Sequence, residues 1–448
     1  MGIVIFKTKL SKIHKTDSLL FPTRVKEYWK RLEITPNNRL IDYYLVDENV
    51  YSLGQLKTDE YFDKSENYDI PIIDQSKDLI AGYSDNNALI YTGKLPVVVF
   101  GDHTRIFKYI DFPFIQGADG IKILCPDENK IHPLFFYYLL QTVGVPSRGY
   151  NRHFSLLSNQ RYLLIDIVKQ IEIVTQIQPI EAQITALKNS KLKPIDIINQ
   201  VIGEELGFDW AAFEHLKSQK IYSSSLREFA NNIDCRMGLR FHNRAAQYLH
   251  SFLTSKTAKK VKDFIDEPIV LGKSVSPSDY DEDGEYFYIA MSNIKTYAFD
   301  PEDCKKVSEE YAKSNLKKTV RKGDILLARS GEGTIGKVAL IEDEEISAIF
   351  ADFTQRIRLT NYNALCAYYF FRSEFFQYLV HTHKKGLGNN TNIFPSQIQE
   401  FPMPNWSEDK QTQIVEKIKS QIDAQNIIDK QIDEKQAEIN KIIETAIK

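Results

Sequence analysis

Two hydrophobic rhythms alternate along this chain. In the C-terminal stretch Ile418, Gln425, Ile432, Ile439 and Ala446 stand seven apart, with Gln421, Ile428, Lys435 and Ile442 as a companion seam. Near the middle, Ile177, Ile184, Lys191 and Ile198 alternate with Ile173, Ile180, Leu187, Pro194 and Val201. A seven-residue repeat predicts long helices, and two such stripes in one chain are expected to pack on each other as a coiled-coil pair. Pro179 and Pro194 should kink or divide the first helix. The polar seam residues Gln421, Gln425, Lys435 and Lys191 cost stability but can fix register. Ahead of each heptad stretch lies a dense aromatic run, HPLFFYYLLQT from His132 and ALCAYYFFRSEFFQYLV from Ala364, each read as a buried helix.

These features recur in one order. Leu53 and Gly54 match Leu271 and Gly272, 218 residues apart; KLPVVVFGDHTRI from Lys94 parallels KGDILLARSGEGTI from Lys322, 228 apart. Gln170, Ile173, Val174 and Ile177 return as Gln411, Ile414, Val415 and Ile418, 241 apart. The chain is therefore written twice, with longer loops in the second copy. Each copy runs from a strand-rich region with a glycine turn, through an aromatic helix, a polar loop and a strand, to a long polar helix.

Within the second copy, ARSGEGTIGKVALI (328–341) imitates a nucleotide loop, because Gly331, Gly333 and Gly336 fit G-x-G-x-x-G. Such loops need a helix to begin at the glycines, so that its N-terminus meets the phosphate. Here Lys337 is followed by the apolar, β-branched run VALI, and Val338 stands where a phosphate loop needs Ser or Thr. The stretch reads as strand, glycine turn, strand.

A length of 448 residues suits about three domains on the usual prior. Net charge is -3, yet 94–161 holds 8 basic against 5 acidic residues and 317–395 holds 11 against 8, so two mildly basic regions sit in an acidic remainder. Cys125, Cys235, Cys304 and Cys366 are scattered, without the C-x-x-C pairs of zinc or redox sites, and read as thiols in a reducing compartment. The start, MGIVIFKTKLSKIHK, has too short an apolar run for a signal peptide, and no run of about 18 apolar residues exists to span a membrane. The expectation is a cytoplasmic protein.

The duplicated order, the glycine hairpin after DILLA, the Q-x-x-I-V opening of each long helix and the polar loop before SQIQEFPMP together resemble the specificity subunits of type I restriction-modification systems. That resemblance implies an α+β fold: two similar mixed α/β target recognition domains, separated and followed by long helices forming an antiparallel coiled-coil pair. The expected boundaries are 1–165 and 216–405 for the recognition domains, with helical spacers at 166–215 and 406–448. It also implies double-stranded DNA as ligand, one half-site per domain, with two modification subunits and two restriction subunits as partners. S-adenosylmethionine, ATP and magnesium would belong to those partners, and no cofactor to this chain.

The candidate DNA contacts are cationic and polar loop residues, which suit phosphates and base edges. In the first copy they are His103, Thr104, Arg105 and Lys108, then Arg148, Tyr150, Asn151, Arg152 and His153. In the second they are Arg329, Ser330, Thr334 and Lys337, then Lys384, Lys385, Asn389, Asn390 and Thr391. Two other readings are a DNA methyltransferase or nuclease with an unrecognised active site, and a paired-domain adaptor for protein. DFPF (111–114) approaches the adenine-methyltransferase tetrad but has Phe112 for its first proline. PEDCKK (301–306) is an ordinary charged turn. His381 and His383 have no further ligands at metal spacing, and no nucleophile elbow is present. The sequence presents no active site.

Overall fold

A computed structural model describes residues 44–46 and 56–447, apart from 118–119, 148, 150, 159, 161–164, 226, 229–237, 295, 345, 387 and 389. Leu53, Gly54 and Cys235 lie outside the described residues. The chain forms two compact units, the first of Met1–Ser190 with Ile428–Lys448, the second of Lys191–Ile427.

The first unit contains β1 (Tyr44–Val46), β2 (Ile70–Ile73), β3 (Gly82–Ser84), β4 (Val97–Gly101), β5 (Phe107–Ile110), β6 (Ile115–Gln116) and β7 (Ile121–Pro126). One antiparallel sheet has the order β1-β7-β4-β5; a smaller sheet, β3-β2-β6, joins an antiparallel to a parallel pair. Strand β4 is buried on both faces, which is why VVVF is unbroken rather than alternating. Val98 and Phe100 face the aromatic helix α1 (Pro133–Val143), while Val97 and Val99 pack with Phe114, Ile121 and Ile123. Phe114, from the DFPF tetrad, is a fully buried core residue whose ring stacks on Tyr91 at 5.1 Å. After α1 come the short α2 (Phe154–Ser158) and the long α3 (Ile167–Ser190).

The second unit begins with α4 (Pro194–Leu206), α5 (Trp210–Ser218), α6 (Leu239–His242) and α7 (Arg244–Lys256). Its strands are β8 (Val270–Leu271), β9 (Tyr286–Ile289), β10 (Lys305–Val307), β11 (Ile325–Ala328), β12 (Val338–Leu340), β13 (Ala348–Phe350) and β14 (Thr354–Ile357). They repeat the first unit's topology: an antiparallel sheet β8-β14-β11-β12, and a sheet β10-β9-β13 with the same antiparallel and parallel pairs. The glycine stretch is the hairpin between β11 and β12, and Lys337 leads into a strand. Like β4, β11 is buried on both faces, Ile325 and Leu327 against the aromatic helices and Leu326 and Ala328 against Phe350 and Ile289.

The aromatic run from Ala364 forms two helices, α9 (Ala364–Arg372) and α10 (Glu374–His383), α8 being Glu309–Ser314. Ser373 divides them by turning its hydroxyl back to the Phe370 carbonyl at 2.6 Å, a local bond that competes with the helix, and Asn199 on α4 accepts the Glu374 N–H at 2.7 Å. Each fully buried phenylalanine here, such as Phe370, Phe371, Phe375 and Phe376, contributes roughly 1.5–3 kcal/mol.

The chain closes with α11 (Pro395–Ile398) and the continuous α12 (Glu408–Ala446). In the first unit Ile173, Val174, Ile177, Ile180 and Ile184 of α3 pack with Ile439 and Ile443. In the second, Ile198, Val201 and Ile202 of α4 pack with Ile414 and Ile418. Partners run antiparallel: Leu192 with Gln425, Glu204 with Lys417, and Glu205 with Lys410. The two prolines behave differently. Pro179 sits inside α3, whereas the helix stops before Pro194, which opens α4 at a position needing no N–H. At that break Gln425 accepts the Leu192 N–H at 2.8 Å, so this polar seam residue satisfies a donor the interruption leaves behind. Lys435, another, donates to Gln183.

The Q-x-x-I-V signature has a packing reason. Gln170 accepts the His132 N–H at 2.7 Å, just before α1, and donates to the Ile165 carbonyl at 2.9 Å. Gln411 does the same for the Asn363 N–H at 2.6 Å and the Trp406 carbonyl at 2.8 Å. In each copy one glutamine of the long helix clamps the start of the aromatic helix, while the isoleucines after it enter the core.

Candidate nucleic-acid interface

Each unit brings its two candidate loops together at one backbone junction. In the first, the Asp102 N–H donates to the Gly120 carbonyl at 2.6 Å, and the Asp102 carbonyl accepts from the His153 N–H at 3.0 Å. In the second, Arg329 N–H donates to Phe353 O and Arg329 O accepts from Ile393 N–H, both at 2.9 Å. The loop after the central strand is thus stitched to the loop after the aromatic helix, although 51 and 64 residues respectively separate the bonded partners.

The first junction is built around an acid. Asp102 is 3 % exposed, and its Oδ1 accepts from the His153 N–H at 2.7 Å and the Phe154 N–H at 2.6 Å, opening α2. His153 is wholly buried, with Nδ1 2.8 Å from the Asp102 carbonyl oxygen. Arg105 adopts φ +64° and donates from Nη1 to Val145 O at 3.0 Å, a second stitch between the loops. Lys108 is buried, its ammonium 3.7 Å from Asp74. Burial pulls the Lys108 pKa below the ordinary lysine value, and the Asp74 carboxylate opposes that pull. His153 therefore holds the two loops together from inside, whereas buried Lys108 reaches Asp74 by an ion pair without a hydrogen bond. Thr104, Asn151 and Arg152 are exposed and His103 half-buried, while Arg148 and Tyr150 lie outside the described residues.

In the second unit the hairpin glycines Gly331 and Gly336 adopt φ +86° and +88°, a region glycine enters without strain. Thr334 closes the turn by donating to the Ser330 carbonyl at 2.8 Å. Glu332 then clasps the later loop, accepting from Lys384 Nζ at 2.6 Å and Thr391 Oγ1 at 3.0 Å. Those bonds, Lys384 first, hold the Glu332 carboxyl below its usual pKa. Thr391 is wholly buried and the Lys384 side chain nearly so, which assigns both to the clasp. Lys385 and Asn390 are exposed, Arg329, Ser330 and Lys337 are half-buried, and Asn389 lies outside the described residues. Lys385 and Asn392 exchange backbone hydrogen bonds at 2.8 Å, which makes the later loop a tight ribbon.

Several residues at these junctions escaped the sequence reading. The Arg329 guanidinium lies 5.9 Å from the ring centroid of Phe394, and Lys122 Nζ lies 5.6 Å from that of Phe154. Phe154 and Phe394 are 240 residues apart, one less than Gln170 and Gln411, so the repeat extended back by 16 and 17 residues from those glutamines, with one residue of slip, would have paired them. Phe353 is 51 % exposed beside Arg329. The exposed Arg240 of α6 acts electrostatically on Glu332, which brings a further cation to this region. None of the motifs read from the sequence includes Arg240. Among the described residues no group of three His, Cys, Asp or Glu could hold a metal ion, and no helix is long and apolar enough to cross a membrane.

Residues 256–438 match the family model described as the type I restriction modification DNA specificity domain. Over 90 residues the chain is 33% identical to the specificity subunit of the type I restriction enzyme EcoR124I/EcoR124II from Escherichia coli; the match covers 20% of this chain and 22% of that relative. A solved structure concerned with complex assembly and conformational transition of the type I R-M system is 11% identical, with TM-score 0.44 over 92% of this chain and 97% of the other. The S subunit from M. genitalium is 10% identical, with TM-score 0.37 over 92% and 95% of the two chains.

Proposed function

We propose, taking residues 256–438 as a type I restriction modification DNA specificity domain, that the whole chain is the noncatalytic DNA-recognition subunit of such a complex. Each unit reads one half of a bipartite duplex site, with 1–165 and 216–405 as the two target recognition domains. The observation that carries this reading is the duplication: two units of the same sheet topology, each joining its two cationic, polar loops at an equivalent backbone junction. A protein with one composite site has no need of that symmetry, whereas two half-sites require it.

The paired helices α3, α4 and α12 serve as spacer and as seat for two modification subunits, which bring S-adenosylmethionine, and two restriction subunits, which bring ATP and magnesium. The chain's work is to position these partners on cytoplasmic DNA. Mapping modified adenines in DNA from the source cell, with and without this chain, tests the proposal. A bipartite motif that disappears with the chain is the expected result. Methyl transfer to DNA by the purified chain alone would overturn the noncatalytic assignment, and an unchanged methylation map would overturn the function.

A further inference from the structure

At each junction a cation lies over a phenylalanine that opens the short helix after the polar loop. In the second unit both halves of the pair are fixed from behind. Arg329 is tied through its backbone to Phe353 and Ile393, and the Phe394 N–H donates to Gln397 Oε1 at 3.0 Å, while Gln397 Nε2 donates to the His383 carbonyl at 2.6 Å. The front is open, since Phe394 is 38 % exposed and Phe353 51 %. Arg329 Nε is buried and has no hydrogen-bond partner among the described residues. The nearby acid, Glu332, is taken by Lys384 and Thr391. A buried donor without an acceptor is costly, so a ligand that closes over the pair and brings an acceptor to it would relieve that cost.

We propose that Arg329 with Phe394, and Lys122 with Phe154, are base-reading pairs, each presenting an aromatic-backed cation to a base edge in the major groove of its own half-site. The inference rests on the DNA-recognition reading above and names the residues that carry it. The ring face restrains the cation at little cost in entropy, and its exposed edge offers an apolar surface to a neighbouring thymine methyl. Arginine so held suits the O6 and N7 acceptors of guanine, which take two parallel N–H bonds. Lysine, a point charge with free rotation, reads the same edge less strictly. The first half-site is therefore the more permissive at its position.

The test uses the complete modification complex, this chain with its partner subunits, acting on a randomised duplex library. Wild type is compared with Arg329→Lys, Phe394→Ala, Phe394→Leu and Phe154→Ala, reading methylation at every position of both half-sites. Arg329→Lys and Phe394→Ala should lose roughly 5- to 100-fold discrimination at one position of one half-site, the worth of one bidentate base contact, and leave the other half-site intact. Phe154→Ala should relax one position of the other half. Phe394→Leu keeps the packing but removes the π face, so relaxed preference with an unchanged melting temperature separates the ring's role from simple stability. A uniform fall across all library sequences would reassign the cations to phosphate contacts and overturn the inference, as would undiminished discrimination in every variant. Wild-type complex without any sequence preference would instead sink the recognition reading, and the inference with it.

Discussion

The two units share a backbone and differ in what they hang on it. Asp102 and Arg329 occupy the same node, each donating its N–H to the residue just before the neighbouring strand, β7 or β14, and accepting an N–H from the later loop. In the first unit the node carries a buried carboxylate that caps α2, and the cation over the phenylalanine is supplied by Lys122 on β7. The second unit places the cation on the node itself, and the loop is closed by an acid three residues further on, Glu332. Gly120 in one unit answers to the exposed Phe353 in the other. The hydrogen-bonded frame tolerates opposite charges at one position because it is made by main-chain groups, whose geometry is indifferent to the side chain. Under the proposed function, half-site preference can then diverge while the main-chain frame is kept.

The strongest break in this comparison is exchange of a whole unit's reading surface. Replacing residues 235–405 with the matching region of a relative should change one half-site completely and leave the other as it was, read by methylation mapping. Simultaneous change in both would end the assignment of one unit to one half-site. A smaller effect separates the two nodes by role. Asp102→Ala removes a buried charged acceptor and should destabilise the first unit by roughly 1.5–3 kcal/mol, whereas Arg329→Ala should stay within about 1 kcal/mol of wild type, the worth of a partly exposed cation–π contact. Urea unfolding of both variants measures the difference, and equal losses would give Arg329 a structural role like that of Asp102.

The smallest effect concerns acid. The Glu332 carboxyl has a depressed pKa in the folded protein, so its clasp contributes stability above the usual carboxylate range and loses it as pH falls below about 4.5. Hydrogen-exchange protection factors at Lys385 and Asn392, with the intrinsic pH dependence of amide exchange divided out, should fall on acidification, and Glu332→Gln should lower them at neutral pH and flatten the acid response. Exchange indifferent to both would show that the backbone ribbon closes the loop unaided.

Much of this architecture was legible because repeats and periodicities are one-dimensional signals. The heptads marked α3, α4 and α12, the doubled order anticipated the two units of like topology, and the β-branched run after Lys337 separated a hairpin from a phosphate loop. The sequence also held Q-x-x-I-V without its reason, since the atoms Gln170 and Gln411 clamp lie 38 and 48 residues away. Side-chain roles within the loops were not legible. Lys108, His153 and Thr391 have the composition of DNA contacts, and their burial beside Asp74, Asp102 and Glu332 is what the sequence could not show. The break at Ser373 needed Asn199 from another helix, and the pairing of Arg329 with Phe394 needed two loops to meet. By itself the sequence determined which segments form helices and strands, and that they come twice, because backbone preference and hydrophobic period act over a few neighbouring residues. Which cations are engaged within the fold was decided only in three dimensions, because an ion's role depends on the acceptors within about 4 Å of it, and chain order does not say what those are.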